Sequence, residues 1–116
     1  MTLVFKIVHA PEWRSAEATG TYGGSARDRA DGFLHFSNAD QVLGTLKRHY
    51  ADADDLLLIA VDADALGGAL KFELSSGGAH YPHLYAQLPL TAVKRVSAIA
   101  RGPNREFLLP DPSRDS

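Results

Sequence analysis

The sequence predicts an α+β domain with small sheets and two main helices around a cleft, and three observations support this. Residues alternate between polar and apolar in three short segments, 31–37, 70–74 and 80–85. Residues 56–61 are continuously apolar, as expected of a central strand covered on both faces. Residues 11–19 and 38–50 instead carry apolar side chains at helical spacing. Strands and helices mixed in one short chain are typical of this class.

Length and composition indicate one domain over residues 1–109, followed by a Pro-rich, charged tail at 110–116 that we expect to be disordered. The net charge of -2, without a basic cluster, argues against a nucleic-acid partner. No apolar run reaches membrane-spanning length. The lack of cysteine and of a leader-like N-terminus favours a cytoplasmic location.

The first predicted strand covers residues 3–8 and contains Lys6. We favour a solvated edge position for this lysine; reaching a ligand anion is the alternative. Pro11 suits the first turn of a helix, and Gly20 suits its end. Trp13 at helical spacing is expected to anchor the core.

A Gly-rich polar loop, with one helical turn as an alternative within it, is predicted at residues 21–30. Because it leads into the 31–37 strand, it could serve as a lid over the cleft. Tyr22 is its one large side chain and the candidate to close on a ligand. An ordinary connecting loop is an equally good interpretation.

The segment DGFLHFS at 31–37 combines a turn with a strand. Side chains alternate across a strand, so Leu34 and Phe36 should face the core while His35 and Ser37 face the other side. Ser37 with Asp40 three residues later also matches a capping box, which predicts a helix from Asn38 onward. Capping is a purely structural role for this hydroxyl, although a helix N-terminus can also attract an anion.

Two later strands complete the candidate site. In the first, at 70–74, Lys71 and Glu73 should share the exposed face, where surface solvation is the simplest role for the glutamate. In the second, at 80–85, His83 and Tyr85 share one face, and Pro82 suggests a sheet edge or a strand start because it has no N–H to donate. If the histidine strands are neighbours, two imidazoles line one cleft.

Other chemistries are weakly supported by these residues. His80 and His83 should point to opposite strand faces, so a zinc site with His35 is disfavoured and no metal is predicted. Ser37 and His35 lack a nucleophile elbow and an orienting acid, which disfavours a serine hydrolase.

The motifs DGFLHFS, VDADAL and YPHLYAQLPL resemble the domain of unknown function 952 family over nearly the whole chain. The resemblance implies an ADP-ribosyltransferase-like fold, with two small sheets around an NAD cleft. It implies that His35 and Ser37 contact the nicotinamide side of NAD, with Lys6 near a basic position of that superfamily. Tyr22, from its place in the loop, is a further cofactor-binding candidate. His83 and Tyr85 stand where many such transferases keep a catalytic glutamate.

The expected function is therefore binding of NAD or a related small-molecule nucleotide, with ADP-ribosyl transfer as a further expectation. In that case the catalytic candidates are His35, His83 and Tyr85, and either Glu73 or a histidine compensates for the missing acid. The alternative is a non-catalytic ligand-binding or protein-interaction module that kept the fold without the chemistry.

Overall fold

A computed structural model describes residues 2–75 and 77–110, and within them the fold is α+β with small antiparallel sheets. The strands are β1 Leu3–His9, β2 Thr21–Tyr22, β3 Leu34–His35, β4 Leu56–Asp62, β5 Leu70–Leu74, β6 His80–Leu84, β7 Leu88–Pro89, β8 Val93–Ala98, β9 Ala100–Arg101 and β10 Phe107–Leu108. The helices are α1 Ala10–Thr19, α2 Ala26–Asp31, α3 Val42–His49 and α4 Ala63–Leu66. None of these helices is long and apolar enough to cross a membrane. Apart from Pro110, the tail predicted at 110–116 lies outside the described residues.

The first sheet has the order β1-β4-β8, so the apolar run at 56–61 is its central strand, as predicted. Both faces of this sheet are covered, because alternate residues of β1 and β4 enter two different apolar clusters. Trp13 of α1 packs in one cluster, which confirms it as a core residue. Val42 and Leu46 of α3 pack in the other.

The second sheet has the order β3-β6-β5. Three leucines lie in register across this sheet and face the apolar cluster that contains Trp13: Leu34, Leu84 and Leu70. The prediction that Pro82 marks an edge strand is wrong, since β6 is the central strand. The reason lies in the ladder: the Phe36 N–H donates to the Pro82 carbonyl at 2.9 Å, and Pro82 has no N–H to return. The β3–β6 pairing therefore stops at this point.

Past this end of the ladder, the chain crosses to the first sheet. Ser37 exchanges two backbone hydrogen bonds with Phe5 of β1, at 2.7 and 2.8 Å. The segment after β3 thus joins the two sheets directly, and a cleft opens beside the junction.

The helices follow the sequence pattern with three corrections. First, α1 ends at a left-handed Gly20 as predicted, but the 6-residue α2 is longer than the single helical turn allowed for in the predicted loop. Second, Ser37 is not a helix cap: Asn38 and Gln41 form the capping box of a 3-10 turn that precedes α3. Third, Leu43 is exposed, although it belongs to the series of apolar residues at helical spacing within 38–50.

Strand β5 exists as predicted, but the exposure of its side chains differs from the prediction. Phe72 and Leu74 are 51% and 64% exposed, because this end of the β5–β6 hairpin extends beyond the core. Glu73 points to the opposite face of the sheet, where it contacts His83 while remaining 39% exposed.

Candidate functional site

The cleft beside the sheet junction has a volume of about 620 Å³. Its walls come from β1, α2, α3 and the β5–β6 hairpin, together with the segment that joins the sheets. The lining residues are Ile7, Arg27, Asp31, Phe33, His35, Phe36, Ser37, Thr45, Arg48, His49, Tyr50, Leu74, Ser75, Gly77, Ala79, Tyr81 and His83. This volume lies within the usual range of about 300–1,000 Å³ for small-molecule sites.

The two predicted histidines meet in this cleft. His35 and His83 are paired in register between β3 and β6, and their ring centroids are 5.8 Å apart. The Phe33 ring stacks on His83 at 4.0 Å and contacts His35 at 4.6 Å. Leu34 and Leu84 are buried on the other face. The prediction of one cleft over an apolar layer is confirmed.

Each ring nitrogen of His35 contacts a carboxylate. Nδ1 lies 2.6 Å from Asp28 Oδ1, and Nε2 lies 2.8 Å from Asp31 Oδ2. Both ring nitrogens of His35 are therefore engaged by carboxylates, and neither is left without a partner.

Asp28 is the buried centre of this network. Besides the His35 ring, it accepts from the backbone N–H of Ser25 at 2.9 Å and of His35 at 3.0 Å, and it pairs with Lys6 Nζ at 3.0 Å. Burial acts to raise the pKa of Asp28, but the His35 hydrogen bond and the Lys6 charge outweigh it and hold that pKa below its ordinary value.

Lys6 is not the solvated edge group that the sequence suggested, because it is 2% exposed. It donates to the His35 carbonyl at 2.8 Å as well as pairing with Asp28. Burial lowers the pKa of Lys6 despite the attraction of Asp28. Its ammonium thus binds the His35 backbone and the carboxylate that contacts the His35 ring. The Lys6 side chain does not line the cleft.

The local sequence explains why Asp28 turns inward. Ser25 and Asp28 form a complete capping box at the start of α2, which folds the carboxylate back toward the chain. Gly24 has φ +107°, and a Cβ there would come within 2.9 Å of the Asp28 side chain. The S-x-x-D pattern at 25–28 was the signal that could have revealed Asp28, and the sequence interpretation placed the capping box at Ser37 instead.

His83 belongs to a second, separate network. Its Nδ1 lies 2.9 Å from Glu73 Oε1, and the Tyr85 hydroxyl donates to the same oxygen at 2.6 Å. The hydrogen bonds that Tyr85 and His83 make to Glu73 lower the pKa of Glu73. The same Tyr85–Glu73 hydrogen bond raises the pKa of Tyr85. Glu73 thus contacts the cleft residue His83 while staying partly solvated, as its sequence position suggested, and neither Glu73 nor Tyr85 lines the cleft itself.

Cationic groups line the outer part of the cleft. Arg48 of α3 donates at 2.6 Å to the hydroxyl of Tyr81, which lies on β6 of the β5–β6 hairpin. Arg27 of α2 has no hydrogen bond or ion pair with any residue in 2–75 or 77–110. Burial, followed by the charges of Arg27 and Arg48, lowers the pKa of His49 on the same wall.

Two other predicted site residues lie in different environments. Ser37 lines the cleft, but it is 3% exposed and its hydroxyl is 3.0 Å from Thr45 Oγ1. Tyr22 is not a lid residue: it is packed in the core against Trp13, with ring centroids 5.9 Å apart, and does not line the cleft. Over the described residues no group of three or more His, Cys, Asp or Glu is placed to hold a metal ion.

The model of the family described as "Protein of unknown function (DUF952)" matches residues 7–96. The chain belongs to this family. The matched region of this DUF952 protein contains both histidines and their three carboxylate partners, while Lys6 lies one residue before it.

Solved structures of a related protein share the fold of the DUF952 chain. The X-ray crystal structure of protein CC0527 from Caulobacter crescentus is 39% identical, with a TM-score of 0.87 over 92% of this chain and 94% of that chain. The solution NMR structure of CC0527 is 42% identical, with a TM-score of 0.79 over 90% of each chain. No functionally curated protein matches the sequence.

Proposed function

We propose that this DUF952 protein binds a nucleotide of the NAD type in the His35–His83 cleft, on an ADP-ribosyltransferase-like fold. The observation that carries the proposal is the position of Arg27, whose guanidinium has no partner among the described residues and lines the same cleft as the histidine pair. Guanidinium groups are suited to phosphate because their N–H groups match its oxygens in pairs.

The remaining walls fit the other parts of such a ligand. Phe33 and Tyr81 offer aromatic rings on which a base or a nicotinamide can stack. Arg48 lines the cleft as well, so a second guanidinium group is present there beside that of Arg27. Two small sheets meeting at a cleft support the proposed fold relationship.

Calorimetric titration with ADP-ribose, NAD and adenosine tests the proposal. We expect ADP-ribose and NAD to bind, and adenosine, which lacks phosphate, to bind more weakly. A charge-assisted hydrogen bond contributes about 1.5–3 kcal/mol, so Arg27→Gln should weaken binding by roughly 10- to 100-fold.

Arg29→Gln is the matched control, because Arg29 is also exposed on α2 but does not line this cleft. Its affinity for ADP-ribose should equal that of the wild type. No heat at millimolar ligand, or equal losses in the two variants, would refute nucleotide binding in this cleft.

A second candidate function adds ADP-ribosyl transfer to binding, with Glu73 acting through His83 rather than on the ligand. The Oε1 atom of Glu73 already accepts from His83 and Tyr85, so that oxygen is not free to contact a ligand directly. Release of nicotinamide from NAD separates the two candidates: a binding module retains NAD without releasing nicotinamide.

A further inference from the structure

We propose that His83 is a general base that removes a proton from the attacking hydroxyl, with Glu73 as its positioning residue. This inference rests on the proposed function and names the groups that would perform transfer. Its basis is an asymmetry between the two histidines of the cleft, which are 5.8 Å apart and bonded in opposite ways.

The Nδ1 atom of His83 is committed to Glu73, at 2.9 Å. A carboxylate accepts hydrogen bonds, so Nδ1 carries the proton in the neutral ring and Nε2 keeps a lone pair. Nε2 has no hydrogen-bond partner within residues 2–75 and 77–110, and the side chain lines the cleft. His83 can therefore accept a proton where a ligand would sit.

The surroundings of His83 fix this arrangement. Tyr85 donates to the same Glu73 oxygen, which holds the carboxylate in position. The Phe33 ring stacks on the imidazole at 4.0 Å with an interplanar angle of 25°, which restricts its rotation. When the ring accepts a proton, the adjacent carboxylate stabilises the resulting imidazolium.

His35 cannot share the role, because Asp28 and Asp31 occupy both of its nitrogens. One histidine is thus held by carboxylates at both nitrogens, and the other keeps one nitrogen available as a proton acceptor.

The proton and electron balance of the step is complete. The hydroxyl oxygen of water or of an acceptor forms a bond to the ribose carbon C1′, and its proton passes to His83 Nε2. The bond from C1′ to the nicotinamide nitrogen breaks, and its electron pair neutralises the pyridinium. No other proton donor is required, and the proton on His83 returns to solvent.

The first test is the tautomer of His83, which needs neither substrate nor turnover. Long-range ¹H–¹⁵N spectra of the free protein under conditions where the His83 ring is neutral should show the proton on Nδ1. Glu73→Ala should abolish this preference, and Glu17→Gln, a charge-matched change at an exposed position of α1, should leave it intact. A wild-type spectrum with the proton on Nε2 would overturn the proposal.

The second test compares binding with turnover, using water in place of the acceptor. Wild-type protein should release nicotinamide from NAD, and His83→Ala should lower kcat by roughly 10²- to 10⁴-fold, the usual contribution of a general base. The Kd for NAD should change less than threefold. Glu73→Ala should lower kcat with the same unchanged Kd, and Glu17→Gln should match the wild type.

The outcomes distinguish this proposal from the one on which it rests. Absence of NAD binding would remove both proposals, and calorimetry would show that directly. Binding without nicotinamide release, or release at the wild-type rate by His83→Ala, would overturn the general base alone and leave nucleotide binding in place. Release at the wild-type rate by Glu73→Ala would overturn the positioning role of Glu73.

Discussion

Replacing Asp28 with asparagine tests whether the site network also supports the fold. The carboxylate accepts at both oxygens: Oδ1 from the ring and backbone nitrogens of His35, and Oδ2 from Lys6 and the Ser25 N–H. An asparagine has one acceptor oxygen and one NH₂ group. In either orientation of the amide, the NH₂ group would therefore face one of these two pairs of donors.

The expected cost follows from burial. The side chains of Asp28 and Lys6 are both 2% exposed, so the substitution leaves an uncompensated charge inside the protein. Removing one partner of a buried pair costs about 3–5 kcal/mol. Asp31→Asn is the matched control, because the same histidine loses a carboxylate that is 47% exposed. Its cost should stay below about 1 kcal/mol.

Urea unfolding at pH 7 provides the measurement, with the free energies of unfolding of the wild type and both variants compared. The pH dependence provides a second check. Since the pKa of Asp28 in the folded protein lies below its ordinary value near 3.9, the unfolded chain binds the proton more readily. The stabilisation contributed by ionised Asp28 should therefore be fully present above about pH 4 and should be lost as the pH falls toward the pKa of Asp28 in the folded protein.

Asp28→Asn should lack this part of the acid loss, and its stability should decline less steeply below about pH 4. If Asp28→Asn is no less stable than Asp31→Asn at pH 7, the buried network does not support the fold as described.

Two further comparisons use matched pairs of variants in urea melts. Leu84→Ala should cost about 2–5 kcal/mol because Leu84 is 1% exposed in the core. His83→Ala should cost about 1 kcal/mol, since its partner carboxylate remains accessible to water; equal losses would make His83 a structural residue. Gly24→Ala should be more destabilising than Gly20→Ala, because both have positive φ but only Gly24 has Asp28 within 2.9 Å of the new Cβ. Equal melts for the two glycine variants would contradict the close approach.

Period-two patterns were enough to predict the histidine pair. In DGFLHFS and YPHLY, large apolar residues alternate with histidine, and register across β3 and β6 then places His35 beside His83. The run at 56–61 likewise predicted the central strand, because a segment without polar residues must be covered on both faces.

The partners of those histidines could not be predicted in the same way. Lys6 lies in a strand and Asp28 in a helix, and only the tertiary fold shows that they pair. Glu73 was placed on a solvated surface because Phe72 and Leu74 should have faced the core. The hairpin extends beyond the core instead, so alternation gave the two faces correctly but not their environments.

Pro82 has a consequence for the energetics of ligand binding. Pro82 lacks the N–H that would donate the second hydrogen bond of its pair with Phe36. The ladder between β3 and β6 therefore ends because a backbone donor is missing. One residue after Phe36, Ser37 forms two backbone hydrogen bonds with Phe5 of the first sheet. Backbone hydrogen bonds thus fix the segment that joins the two sheets beside the cleft, so a ligand that binds there would not have to order this segment.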